Sequence, residues 1–242
     1  MEYAHIDYPR WDFSGIGSNI AAKLNASEKV IWQKALPFQD KRNDKGHAES
    51  VTYFALELLE QISADRRVVI PAAILHDIGW SQMSKTELDL FYDKNWERYE
   101  LILRARHQEE GVDLAKRLLT ELTQTDDIEQ VLEIILQHDT RKGFLNVQDG
   151  IIRDADKLWR FTLPHLKIAM KERGWSVKEV GKIMQDSINK PGFLYSEVSR
   201  EIAEYESHQI DQYTNPNFTI GDDFSDAVIA EEVRKVRMRL GL

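Results

Sequence analysis

The chain has no cysteine. Disulfides, thiolate zinc sites, iron–sulfur clusters and cysteine nucleophiles are thereby excluded, so any metal must be held by nitrogen and oxygen. Long apolar runs are also missing. Nothing approaches the roughly 20 apolar residues of a membrane span, and Met1 to Phe13 lack the apolar stretch of a secretory signal. These absences lead us to expect a cytoplasmic protein with no membrane partner. No phosphate-binding P-loop and no glycine-rich dinucleotide fingerprint occur, and strand-like alternation is scarce. Positive charge is in deficit, with 32 Lys and Arg against 41 Asp and Glu and a net charge of -9. Nucleic acid is therefore not an expected partner, because phosphate backbones select basic surfaces. An anionic small substrate stays compatible, because a bound metal can invert the local field.

What is present is helical pattern. The 242 residues, 42% of them hydrophobic, suffice for one large domain or a domain with an extension. His47, Val51, Phe54, Leu58 and Ile62 recur at helical spacing. Val68 to Gly79 is apolar nearly all round, which predicts a short, central, buried helix, with Pro71 tolerable in its first turn. His107, Gly111, Ala115, Leu118 and Leu122 form another stripe. Asp126 or Asp127 caps a helix carrying Ile128, Val131, Ile135 and His138. Residues 140–150 read as a loop and Ile151 to Pro164 as a helix. Val177 to Ser187 and Ser196 to Ser207 are further helices around the turn Asn189-Lys190-Pro191-Gly192. Residues 208–223 read as irregular, and Ser225 to Leu240 as a closing helix. Between the ligand-bearing helices, residues 80–105 hold Trp80, Phe91, Tyr92, Trp96 and Tyr99 and read as a partly helical cover. The fold class is all-α.

Seven histidines punctuate this pattern. His5 and His208 fall in expected loops, and His165 follows Pro164. The other four, His47, His76, His107 and His138, each sit at an end of an expected helix on or beside its apolar face. Buried separately, each imidazole would need its own hydrogen-bond partner; convergence on a metal satisfies all four together. The sharpest element is Leu75-His76-Asp77-Ile78-Gly79. A carboxylate at the end of an apolar helix is costly unless paired or metal-bound, and Gly79 permits a close turn out of the site. His76 to His107 and His107 to His138 are each 31 residues apart. The flanking residues are not self-similar, so this is no repeat array.

The ordered set His47, then Ala72-Ala73-Ile74-Leu75-His76-Asp77-Ile78-Gly79, then Asp154-Ala155-Asp156-Lys157-Leu158, resembles the H…HD…D signature of the HD superfamily of metal-dependent phosphohydrolases. The resemblance covers roughly residues 40 to 170. It implies an HD-type helical bundle, read as one domain over 1–242 with a core at about 40–170, a C-terminal helical extension at about 171–242 and short N-terminal additions. It implies metal ligation by His47, His76, Asp77 and Asp156. Helical periodicity alone leaves Asp154 and Asp156 both open; the family's Ala-Asp-Lys-Leu context matches Asp156 and leaves Asp154 to orient a ligand or water. Some subfamilies hold a second metal with two further histidines, which here are His107 and His138, with the Asp of the HD pair shared.

The resemblance implies hydrolysis of a small phosphorylated molecule, a nucleotide first among them, through metal-activated water. The expected cofactor is one or two divalent transition ions, Mn, Fe, Co, Ni or Zn, because imidazole ligation disfavours magnesium. Asp77, His107 and His138 form the expected catalytic centre. Of the nearby cations Arg104, Arg106, Arg141, Lys142, Lys157 and Arg160, Lys142 and Lys157 are chosen for phosphate because each lies within about a turn of a proposed ligand. Two alternatives stand. A smaller HD branch, resembling inositol oxygenase and a phosphonate-cleaving oxygenase, uses the same six-ligand order for a di-iron centre, though the inositol branch favours lysine where this chain has Trp80. The other alternative is a non-catalytic, ligand-sensing HD domain. A homodimer is compatible with the sequence.

Overall fold

The computed structural model describes residues 18–214 apart from residues 43, 91–95, 121, 123–126 and 174. Its described residues are helical and contain no strand. In chain order the α-helices are α1 (Ser18–Ala21), α2 (Ala26–Ala35), α3 (His47–Gln61), α4 (Arg66–Leu75), α5 (Lys85–Leu90), α6 (Glu100–Thr120), α7 (Asp127–Gln137), α8 (Val147–Leu158), α9 (Leu163–Arg173), α10 (Val177–Ile188) and α11 (Glu197–Thr214). No described helix is long and apolar enough to cross a membrane.

The centre is α4. Its residues Val68 to Leu75 are all buried, because α3, α7, α8 and α2 pack around it. A helix surrounded on every side has no polar face, which is why its sequence is apolar all round. Pro71 lies in the helix interior and not in its first turn. The expectation of a first-turn proline fails because the helix begins at Arg66, capped by the Asp65 side chain, which accepts from Arg67 N at 2.9 Å. Burial on all sides outweighs the lost backbone hydrogen bond. The helix stops at Leu75; His76 and Asp77 form a turn, and a 3-10 segment follows at Ile78–Gln82.

Other expectations shift in the same way. His107 lies inside a 21-residue helix and not at its start. The expected loop over 140–150 ends early, because Asn146 accepts from Asp149 N at 2.9 Å and starts α8. The stretch beginning at 208 is helical as far as Thr214, with His208 exposed on α11. Phe91, Tyr92, Asp126 and the expected closing helix at 225–240 lie outside the described residues, as does His5.

Two helices without a matching sequence expectation build up the flanks. In α2, Asn25 and Glu28 form a reciprocal capping box. The buried Glu28 also takes Arg66 in a two-pronged ion pair at 2.7 and 2.8 Å, tying α2 to the start of α4. Helix α9 follows the 3-10 segment Trp159–Phe161 and packs on α10, which packs on α11. Asp154 anchors this C-terminal layer. Its two carboxylate oxygens accept from Tyr195 N at 2.7 Å and Ser196 N at 2.9 Å, fixing the entry to α11.

Gly79 and Gly150 mark close approaches. A Cβ on Gly79 would overlap the His107 carbonyl, and one on Gly150 would overlap the Tyr195 ring. Gly79 therefore serves to let the 78–82 turn lie against α6; it is not a device for leaving the site.

Candidate metal centre

Local structure aims four imidazoles at one point. His47 is the first residue of α3. The Asp40 carboxylate accepts from Gly46 N at 2.7 Å and Ala48 N at 3.0 Å, so it caps that helix start and fixes His47 between them. His76 closes α4, His138 follows α7, and His107 projects from the interior of α6. The Nδ1 atoms of His76 and His138 each donate to a backbone carbonyl, Ala73 and Ile135, at 2.9 Å. His107 Nδ1 faces the Leu103 carbonyl at 3.4 Å. A carbonyl only accepts, so these rings carry their proton on Nδ1 and present bare Nε2 lone pairs to the interior.

Those lone pairs face one another around Asp77. His47 Nε2 lies 3.0 Å from His76 Nε2, and His107 Nε2 lies 3.4 Å from His138 Nε2. The two oxygens of Asp77 divide between the pairs. Oδ2 is 3.1 Å from His47 Nε2 and 3.7 Å from His76 Nε2. Oδ1 is 3.2 Å from His107 Nε2 and 3.3 Å from His138 Nε2. Asp156 joins the first pair, its Oδ1 3.4 Å from His47 and 3.8 Å from His76. Asp139 joins the second, its Oδ2 3.8 Å from His107 and 4.0 Å from His138. Asp44 makes a further group with His47 and Asp77. Trp80 orients the shared carboxylate: its Nε1 donates to Asp77 Oδ1 at 3.1 Å while its ring stacks on His107 at 4.0 Å.

Electrostatics show what the cluster can hold. Burial would raise the Asp77 carboxyl, yet the surrounding imidazoles hold it well below the usual range. Burial likewise opposes protonation of His47 and His138, but the Asp77 carboxylate and its acidic neighbours push each up to about 9. Burial keeps His76 and His107 below the ordinary histidine value. Half of the cluster is thus driven to take up protons, and His47 Nδ1 is buried with no partner among the described residues. Opposed lone pairs beside carboxylates are what a cation relieves, and the nitrogen–oxygen donor set suits a divalent transition ion.

A cavity of about 280 Å³ opens from this cluster. Three guanidiniums stand at its acidic end. Arg42 pairs with Asp44 at 3.2 Å and lies over Trp80. Arg104 clamps Asp139 at 2.5 Å and Glu100 at 2.9 Å. Arg160 makes no hydrogen bond or ion pair with the described residues. The far end is apolar and comes from the C-terminal layer, including Ile168, Trp175, Ile183 and Met184.

The structure thus brings His47, His76, Asp77, His107, His138 and Asp156 together and sends Asp154 elsewhere. Lys142 is exposed on the loop after α7 and lines neither large cavity. Lys157 donates to the Phe193 carbonyl beneath the Phe144 and Phe193 rings and borders an adjoining cavity. Burial, with Arg153 nearby, lowers its pKa to about 8. Arg106 pairs with Glu87 on the surface, and Arg141 donates to the Glu133 carbonyl. Sequence reasoning overlooked Asp139, Asp44, Arg42 and His165. For Asp139 a signal existed, because His138-Asp139 is a second His-Asp dipeptide. Asp44 and Arg42 sit in a loop without periodicity. His165 was set aside for following Pro164, yet it lines the cavity.

The HD-domain family model matches residues 45–160, the span that carries all six converging side chains. No curated protein and no solved structure matches the chain significantly.

Proposed function

We propose, from the premise that this chain is a member of the HD superfamily through residues 45–160, that it is a metal-dependent phosphohydrolase acting on a small phosphorylated molecule, a nucleotide first among them. One observation carries the reading: Asp77 turns one oxygen to each of two histidine pairs. We assign His47, His76, Asp77 and Asp156 to one divalent ion, and His107, His138 and the other oxygen of Asp77 to a second. Asp77 would then be shared between the two positions.

Ions held there would activate water for attack near neutral pH and neutralise phosphate charge. The protein's own groups do the rest. The Nδ1 hydrogen bonds to backbone carbonyls lock three imidazoles in the ligating tautomer. Trp80 fixes the plane of Asp77. Arg104 holds Asp139 beside the second pair. Arg160, unpaired among the described residues, lines both cavities and is best placed to meet a phosphoryl oxygen, whereas Lys142 lines neither. Metal and guanidinium charge together make the acidic centre attractive to an anion.

The test is a manganese-supplemented screen against nucleotides and general phosphoesters, with His76→Ala and Asp77→Ala as controls. Metal-dependent phosphate release lost in both variants is the expected result. Release surviving both would sink the assignment. The same shared carboxylate and four imidazoles would also serve a di-iron oxygenase. Anaerobic purification and iron spectroscopy separate the two: an iron-free protein that hydrolyses nucleotides with manganese ends the oxygenase reading.

A further inference from the structure

The cavity has two chemically distinct ends, and only one belongs to the metal centre. Beyond Asp77 and Asp156 its wall passes into the layer built by α9, α10 and the turn after them, residues outside the matched span. There the lining is Ile168, Trp175, Val180, Ile183, Met184 and Phe193. Trp175 and Ile183 keep 38% and 44% of their surface exposed. That is large for a tryptophan and an isoleucine lining one concave wall, where an apolar ligand would remove them from water. His165 stands at the junction of the two ends. Its ring makes no hydrogen bond with the described residues, packs edge-on against Trp159, and lines the cavity together with Arg160 and the apolar wall.

We propose that the α9–α10 layer is the specificity element, and that it selects phosphoesters whose other half presents a flat apolar face, as a nucleobase does, over phosphoesters of sugars and polyols. The proposal rests on the reading that the arginine and metal end takes the phosphate. In this arrangement the face stacks on Trp175 and packs on Ile183 and Met184. His165 meets the polar group that links face to phosphate. A cavity of about 280 Å³, near the small end for ligand pockets, limits the ligand to mononucleotide size.

Binding tests this independently of turnover. The manganese-loaded full chain is titrated by calorimetry with a non-hydrolysable phosphonate analogue of a purine nucleoside monophosphate, and with the matching ribose phosphonate that lacks the base. The nucleoside analogue is expected to bind about tenfold tighter or more, the scale of one base stacked on an aromatic ring. Trp175→Ala and, separately, Ile183→Ser should each remove most of that difference and leave the ribose analogue's affinity unchanged. Both residues are partly exposed, so the variants should fold, and an unchanged melting temperature checks it. Equal affinity for the two analogues, or variants that weaken both alike, overturns the proposal. The hydrolase reading fails separately. Base-dependent binding without metal-dependent phosphate release keeps this site and removes the chemistry; release without base dependence does the reverse.

Discussion

The two histidine pairs around Asp77 are built differently. His47 and His76 sit at helix ends, one at the capped start of α3 and one at the close of α4, and Asp156 faces both. His107 projects from the middle of α6, His138 lies just past α7, and the carboxylate beside them, Asp139, is already gripped by Arg104. The first half is held by the buried centre of the fold, α3, α4 and α8. The second depends on how closely α6 and the 78–82 turn approach, with Gly79 against the His107 carbonyl. A single carboxylate joins a half rooted in the core to one rooted in a helix–turn contact. The first should therefore be the tighter and sturdier metal position.

The largest effect should come from removing the joint. Asp77→Ala should empty both positions in metal analysis and lower kcat/KM on the order of 10³-fold, the scale of losing a principal electrostatic stabiliser. Retention of two ions would break the shared-carboxylate account. Next, His107→Ala should keep about one ion per chain, whereas His47→Ala should lose the first ion and weaken the second. Identical stoichiometry in the two variants would erase the asymmetry. Smaller again, Gly79→Ala should destabilise the chain by about 1–3 kcal/mol in denaturant unfolding, because the added methyl meets backbone. It should weaken the second ion more than the first.

The smallest effect concerns the junction of the cavity's two ends. Burial, reinforced by Arg160, depresses His165 to about 3. Between its ordinary value near 6.5 and about 3, the unfolded chain binds a proton that the folded chain refuses. Stability from this group is therefore present above pH 6.5 and is lost as pH falls through that window. In the metal-free protein, His165→Gln should make the melting temperature fall less steeply from pH 6.5 to 4. An unchanged slope would show that His165 is solvated and free to protonate.

Much of this could be read along the chain. The periodicity around His47, the apolar block before His76 and the stripe to His138 mark α3, α4 and α7 because each buries one face or all faces, and burial writes itself into spacing. Elsewhere the pattern misleads. Helix α6 starts well before His107 through residues such as Leu101 and Ile102, which stay exposed; their apolar character carries no packing signal. Helix α9 was missed because Pro164 reads as a break, although a proline is acceptable in a helix's first turn. Lys142 was favoured for phosphate by its nearness to His138 in sequence, a distance that says nothing about direction.

The fold class, the restriction to nitrogen and oxygen donors and the order of the histidines and aspartates are written along the chain, because they follow from composition and from spacing along helices. Periodicity left open which aspartate looks where, and the packing of the helices settles it. Asp154 and Asp156 are two residues apart and equally periodic, but about 200° of helical turn separates them. One therefore meets the backbone of α11 and the other meets His47. Tertiary structure also placed Arg42 and Asp44 at the centre and added an apolar wall to the same cavity. Those are contacts between segments far apart in the chain, and no local pattern encodes them.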